Sequence, residues 1–166
     1  LAVNKRVDLL REVAEATDME VVVAGDGEDK DVLLNNQPDN LTYLGFIDES
    51  EKWSRFSEAK ATLMLAENED FGIVPIESMA SGTPVIGANE GFTQYQIQHG
   101  ETGYLTEPTV DGVGEAIDKL QTEGVEWSGK RIAEYAHQFN RDRFKKNIRD
   151  TVEFVQSQST VVPELK

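Results

Sequence analysis

A chain of 166 residues is long enough to bury a real core and short enough to form one domain. It has no cysteine, which excludes disulfides and thiolate metal sites, and only His99 and His137 could act as imidazole ligands. Its formal charge of −15, from 31 acids against 16 bases, repels nucleic acid and excludes it as a partner. The acids are scattered and do not form an interaction tail. An acidic, lysine-poor surface stays hydrated in concentrated salt, where self-repulsion is screened, so adaptation to high salt is favoured over an ordinary acidic protein. No apolar run approaches a membrane span and no signal-peptide pattern is present, so a cytoplasmic protein is expected.

Val7, Leu10 and Ala14 fall at helical spacing and predict an amphipathic helix over 5–16. Met19–Ala24 is a continuous apolar strand stopped by Gly25-Asp26-Gly27, and Leu41–Gly45 is a shorter one. Asp48-Glu49-Ser50-Glu51 has the form of a capping box, opening a helix with Trp53 and Phe56 turned inward. A strand over 61–66 leads into Glu69–Gly82, Glu-Asp-Phe-Gly-Ile-Val-Pro-Ile-Glu-Ser-Met-Ala-Ser-Gly, and a strand over 84–88 follows. Within that stretch Pro75 suits the first helical position and Gly82 the residue just past the helix end. A Gly91 loop, a short helix near 93–98 and a strand over Gly103–Thr106 come next. Val113, Ala116, Ile117 and Leu120 mark one helix, and Ile132, Ala133 and Ala136 another. Asn140 can cap a last helix whose stripe of Phe144, Ile148, Val152 and Val155 reads as packing, and 157–166 are expected to fray.

Apolar strands alternating with helices predict a mostly parallel sheet covered on both faces, a Rossmann-like three-layer α/β/α domain. Ligands on such sheets lie beyond the carboxyl ends of the strands. Gly25-Asp26-Gly27, Gly45-Phe46-Ile47 and the loops over 67–74 and 88–92 all fall there. The turn before Pro75 aims unpaired helix N–H groups at that crevice, which is where a phosphate would sit. Two acids, Glu69 and Glu77, flank the turn with seven residues between them.

Glu69-x7-Glu77 with Phe71-Gly72 inside, followed by Met79-Ala80-x-Gly82-x-Pro84-Val85-Ile86, resembles the donor-binding signature of glycosyltransferase family 4, retaining enzymes of GT-B fold. Lys5-Arg6-Val7-Asp8-Leu9-Leu10 is similar to that family's Lys-Gly-x-x-x-Leu helix start, and Ala24-Gly25-Asp26-Gly27 to its Gly-x-Gly turn. Asn40–Gly45 resembles the strand before its base pocket, and His99–Leu105 matches its Gly-x-Thr-Gly-x-Leu tail.

The resemblance spans roughly residues 1–120. It implies a nucleotide-sugar-binding domain over 1–156, the C-terminal half of an enzyme moving a hexose from a nucleoside-diphosphate sugar to a glycan, lipid or small-molecule acceptor. Neither metal nor cofactor is implied beyond the donor itself. The implied partner is an N-terminal acceptor domain outside this sequence, and any peripheral membrane association would come through it.

On the same resemblance, Lys5, Lys52 and the backbone N–H groups of Phe71, Gly72, Ile73 and Val74 would meet the diphosphate. Glu77 would bind the ribose hydroxyls. Glu69 would face the transferred sugar and is the catalytic candidate, with Asp70 and Phe71 positioning the sugar. Ile47 would contact the base, or simply pack; Gly25 would allow close approach of the nucleotide, or simply turn the chain. Lys5 and Lys52 could equally be solvated surface charges.

The family's Gly-Gly-x-x-Glu is here Gly91-Phe92-Thr93-Gln94-Tyr95, and Leu65-Ala66 replaces its frequent Pro-Ser. Two other readings stay open: a stand-alone nucleotide-binding or regulatory module, and another GT-B enzyme such as a sugar-nucleotide epimerase.

Overall fold

The computed structural model describes residues 5–159. Five short strands alternate with helices: α1 (Val7–Ala16), β1 (Val21–Ala24), α2 (Lys30–Leu34), β2 (Leu41–Gly45), α3 (Glu49–Glu58) and β3 (Thr62–Met64). Then come α4 (Ile73–Ala80), β4 (Val85–Ala88), α5 (Thr93–Gln96), β5 (Gly103–Thr106), α6 (Val110–Glu123), α7 (Gly129–Ala136) and α8 (Arg141–Ser159). A 3₁₀ turn, His137–Phe139, links the last two helices.

All pairings are parallel. β1 pairs with β2, while β3, β4 and β5 lie side by side in that order. Because side chains alternate across a strand, neighbouring residues feed opposite layers. Leu65 and Ile86 join Leu9, Val13, Tyr104, Val113 and Ala116 on one face. Met64 and Val85 join Met79, Ile97, Ile132 and Ala136 on the other. Helices α1 and α6 therefore cover one side of the β3–β5 group, and α4 and α7 the other. This is the Rossmann-like three-layer arrangement.

Among the described residues no ladder joins β1 to β3. Helix α1 ties the two strand groups together instead. Its Leu9 and Val13 enter the β3–β5 core, while Val7 and Ala14 pack with Val21, Val23, Leu33 and Leu41.

Several expectations are corrected. Cover on both faces holds for β4, whose four residues are all buried, but β1 alternates and leaves Val22 exposed. Helix α2 was not predicted; only Leu33 of its five residues is buried, too little to make a periodic signal. Asp48 does cap α3, accepting from the Glu51 N–H at 2.8 Å, yet the helix buries no residue. Trp53 is exposed and meets a half-buried Phe56 edge-on at 6.1 Å, because α3 is polar on nearly every side.

Pro75 is the third residue of α4, not the first; that N–H would also lack an intrahelical partner, so the ring costs nothing there. Gly82 does follow the helix end in left-handed conformation, φ 82°. Asn140 accepts from the Arg143 N–H at 2.8 Å, but the α8 stripe is exposed where packing was expected: Phe144 is 64% exposed, and Ile148, Val152 and Val155 are exposed too. Helix α8 continues to Ser159, past the expected fraying point at 157; residues 160–166 lie outside the described part.

Candidate functional site

The site forms where β3 hands over to α4. Gly72, the residue before the helix, has φ 65° and ψ 107°, a conformation that favours glycine. A Cβ there would also come within 3.0 Å of Glu69 Cγ and 3.2 Å of Met64 Cε. Having no side chain, Gly72 cannot cap the helix, so the first N–H groups of α4 lack a side-chain acceptor. Around them Phe71, Ile73 and Val74 are exposed, as is Asp70.

Two neighbours hold the turn in place. Gln96 is fully buried, and its amide nitrogen donates to the Phe71 carbonyl and, at 3.0 Å, to the Gly72 carbonyl. The Phe92 N–H donates to the Glu69 carbonyl at 2.8 Å. Gly91, at φ 55°, passes so close that a Cβ would lie 2.8 Å from Glu69 N and 2.9 Å from its carbonyl oxygen. The β4–α5 loop thus clamps the backbone of Glu69.

Each carboxylate of the pair is held by a lysine from elsewhere in the chain. Lys5 Nζ donates to Glu69 Oε2 at 2.5 Å. Lys52 Nζ, on α3, donates to Glu77 Oε1 at 2.8 Å and to Glu49 Oε1 at 2.9 Å, and stands 5.2 Å from the centre of the Trp53 ring. The hydrogen bond to Glu77 first, then that to Glu49, raises the Lys52 pKa above its ordinary value. The same contact lowers that of Glu49. Glu69 and Glu77 are mostly covered, with side chains 17% and 21% exposed.

Glu69, Lys5, the 71–74 backbone, Glu77 and Lys52 therefore gather around the start of α4. Gly25 and Ile47 belong to the other strand pair. Gly25 is committed structurally: its N–H reaches the Gly45 carbonyl at 2.7 Å and its own carbonyl accepts from the Tyr43 hydroxyl at 2.9 Å. Ile47 is partly buried beside Phe46, which is 85% exposed. His99 is a loop residue, its Nδ1 accepting from the Leu105 N–H at 3.1 Å.

The sequence reading missed Gln96 and a run of rings. Tyr95 and Phe92 lie 5.7 Å apart, Phe92 and Phe71 5.3 Å, and Phe71 and Phe139 6.4 Å. The Phe92 and Tyr95 departures were visible in the sequence. Their meeting with Phe71 was not, because it depends on how two loops pack.

Residues 1–139 match the family model for glycosyl transferases group 1. The chain belongs to that family. It is 32% identical over 124 residues to N-acetyl-alpha-D-glucosaminyl L-malate synthase of Bacillus anthracis, covering 70% of this chain and 32% of that protein. It is 38% identical over 80 residues to an alpha-1,3/1,6-mannosyltransferase of Homo sapiens, covering 48% of this chain and 19% of that one.

Its fold is similar to that of sucrose-phosphate synthase from Thermosynechococcus elongatus, with TM-score 0.78 at 22% identity over 95% of this chain and 44% of that one. Anabaena HepE, solved in complex with UDP-glucose, gives 0.70 at 22% identity over 92% and 46%. The chain thus spans a third or less of these curated relatives and under half of these structures. The paired acids, their lysines and the open helix start lie together at one end of α4 in this chain. Among the described residues no helix is long and apolar enough to cross a membrane.

Proposed function

We propose that residues 1–156 form the nucleotide-sugar-binding half of a retaining, metal-independent family 4 glycosyltransferase. The enzyme moves a hexose from a nucleoside-diphosphate sugar to a glycan, lipid or small-molecule acceptor, in the cytoplasm of a salt-adapted cell. One observation carries the reading: two carboxylates with seven residues between them flank an uncapped helix start, each already paired with a lysine from another element.

Breaking the glycosidic bond builds negative charge on the β-phosphate. Lys5 and the N–H groups of Phe71, Gly72, Ile73 and Val74 receive that charge without reorganising at the moment of reaction. Lys5 rests on Glu69 and Lys52 on Glu77. The arriving diphosphate draws the lysines toward itself and frees the carboxylates to accept from hydroxyls. Glu77 then takes the ribose, and Glu69 the transferred sugar. Acceptor binding and turnover belong to the missing half, so the 166-residue chain binds donor and transfers nothing.

The reading is tested by calorimetry on the chain, in EDTA, with UDP, GDP and ADP and their sugars. Glu77→Ala should weaken the preferred nucleotide about tenfold, the worth of one or two hydrogen bonds to a charged acceptor. Equal binding by the variant removes the ribose assignment, and transfer by the chain alone removes the division of labour.

A further inference from the structure

Glu69 has two kinds of neighbour. Its carboxylate meets Lys5, and its backbone is clamped by the loop that carries Phe92. From Phe92 the ring surface extends to Phe71 at 5.3 Å, with planes tilted 32°, and to Tyr95 at 5.7 Å. Phe71 is 44% exposed and Tyr95 65%, and Phe92 between them is partly buried, so the two outer rings are open to solvent. Apart from the Tyr95 hydroxyl, their three side chains hold no polar atom. A partly open aromatic surface whose loop is bonded to the backbone of Glu69 is well matched to a pyranose, which has hydroxyls around its rim and a C–H face that lies against a π-system.

We propose that Phe71, Phe92 and Tyr95 form a shelf that recognises the C–H face of the transferred pyranose while Glu69 holds its hydroxyls. This inference rests on the donor-binding reading and deepens it. The shelf makes the site select for the sugar part of the donor, through contacts that neither the nucleoside nor the diphosphate shares.

The test separates sugar from nucleotide. The chain is titrated by calorimetry with UDP and UDP-glucose, GDP and GDP-mannose, and ADP and ADP-glucose. Two variants are compared with the unmodified chain. Tyr95→Ala removes an exposed ring without touching the core, and Phe92→Leu keeps apolar volume and the N–H bond to Glu69 while removing the ring. Each should weaken the sugar nucleotide about three- to tenfold, the size of a lost aromatic contact, and leave the bare nucleotide within about twofold. Equal losses for both ligands would make the rings structural and overturn the proposal. No loss for either would show that the sugar does not lie on them. If the unmodified chain binds no nucleotide at all, the donor-binding reading fails first and takes the shelf with it.

Discussion

Helices α4 and α8 both carry apolar stripes, and the protein treats them in opposite ways. Helix α4 buries Pro75, Ser78 and Met79 against the β3–β5 group, leaving only Ile73 and Val74 exposed at its start. Helix α8 has the longer stripe, yet Phe144, Ile148, Val152, Phe154 and Val155 are all exposed. Periodicity shows which side of a helix is apolar. Whether that side is covered depends on what stands opposite, and for α8 the described residues supply nothing comparable to the α7 partner of α4.

The contrast is broken most directly by truncating one apolar residue on each helix. Met79 is fully buried, so Met79→Ala should cost about 2–5 kcal/mol in urea unfolding, the lost transfer energy plus the cavity left behind. Phe144→Ala should change stability by no more than about 0.5 kcal/mol, as an exposed substitution does. A Phe144 cost near that of Met79 would mean that α8 packs in solution.

Gly72→Ala probes the other end of α4. The methyl group would sit 3.0 Å from Glu69 Cγ at a φ of 65°, so strain and a displaced Glu69 arrive together. The expected cost is about 1–2 kcal/mol of stability, with nucleotide binding weakened more than stability. Ser81→Gly, one residue past the helix end, serves as a control that leaves the turn alone. If Gly72→Ala binds normally, the turn is scaffolding and not part of the site.

The sequence made most of this fold legible because the β3–β5 group obeys local rules. Leu63–Ala66 and Val85–Ala88 are apolar, Gly82 stops α4, and Asp48 caps α3. What it hid is set by distant contacts. Lys52 and Glu77 are 25 residues apart and Lys5 and Glu69 are 64 apart, and no local pattern says they will pair. Gln96 looks like any polar residue of a short helix until its amide is seen under the Phe71 and Gly72 carbonyls. Trp53 misled for the converse reason. A large aromatic on a capped helix suggests a core position, but the Lys52 ammonium and Phe56 occupy its surroundings.

The smallest expected effect concerns the Lys52 pair. The hydrogen bond to Glu77, then that to Glu49, raises the lysine's pKa in the folded protein. A raised lysine pKa contributes stability that is fully present below the unfolded value, about 10.4, and is lost as pH rises through the higher folded one. The contribution is therefore flat across neutral pH and fades only in strong alkali. Lys52→Met should remove that alkaline slope and lower the neutral plateau by the same amount, a small one because the pair is partly exposed and solvent screens it. Urea unfolding at pH 7 and again above pH 10 reads both values. An unchanged alkaline slope in Lys52→Met would assign it to another group; Tyr104, whose pKa is raised by burial and then by Glu123, is the first to examine.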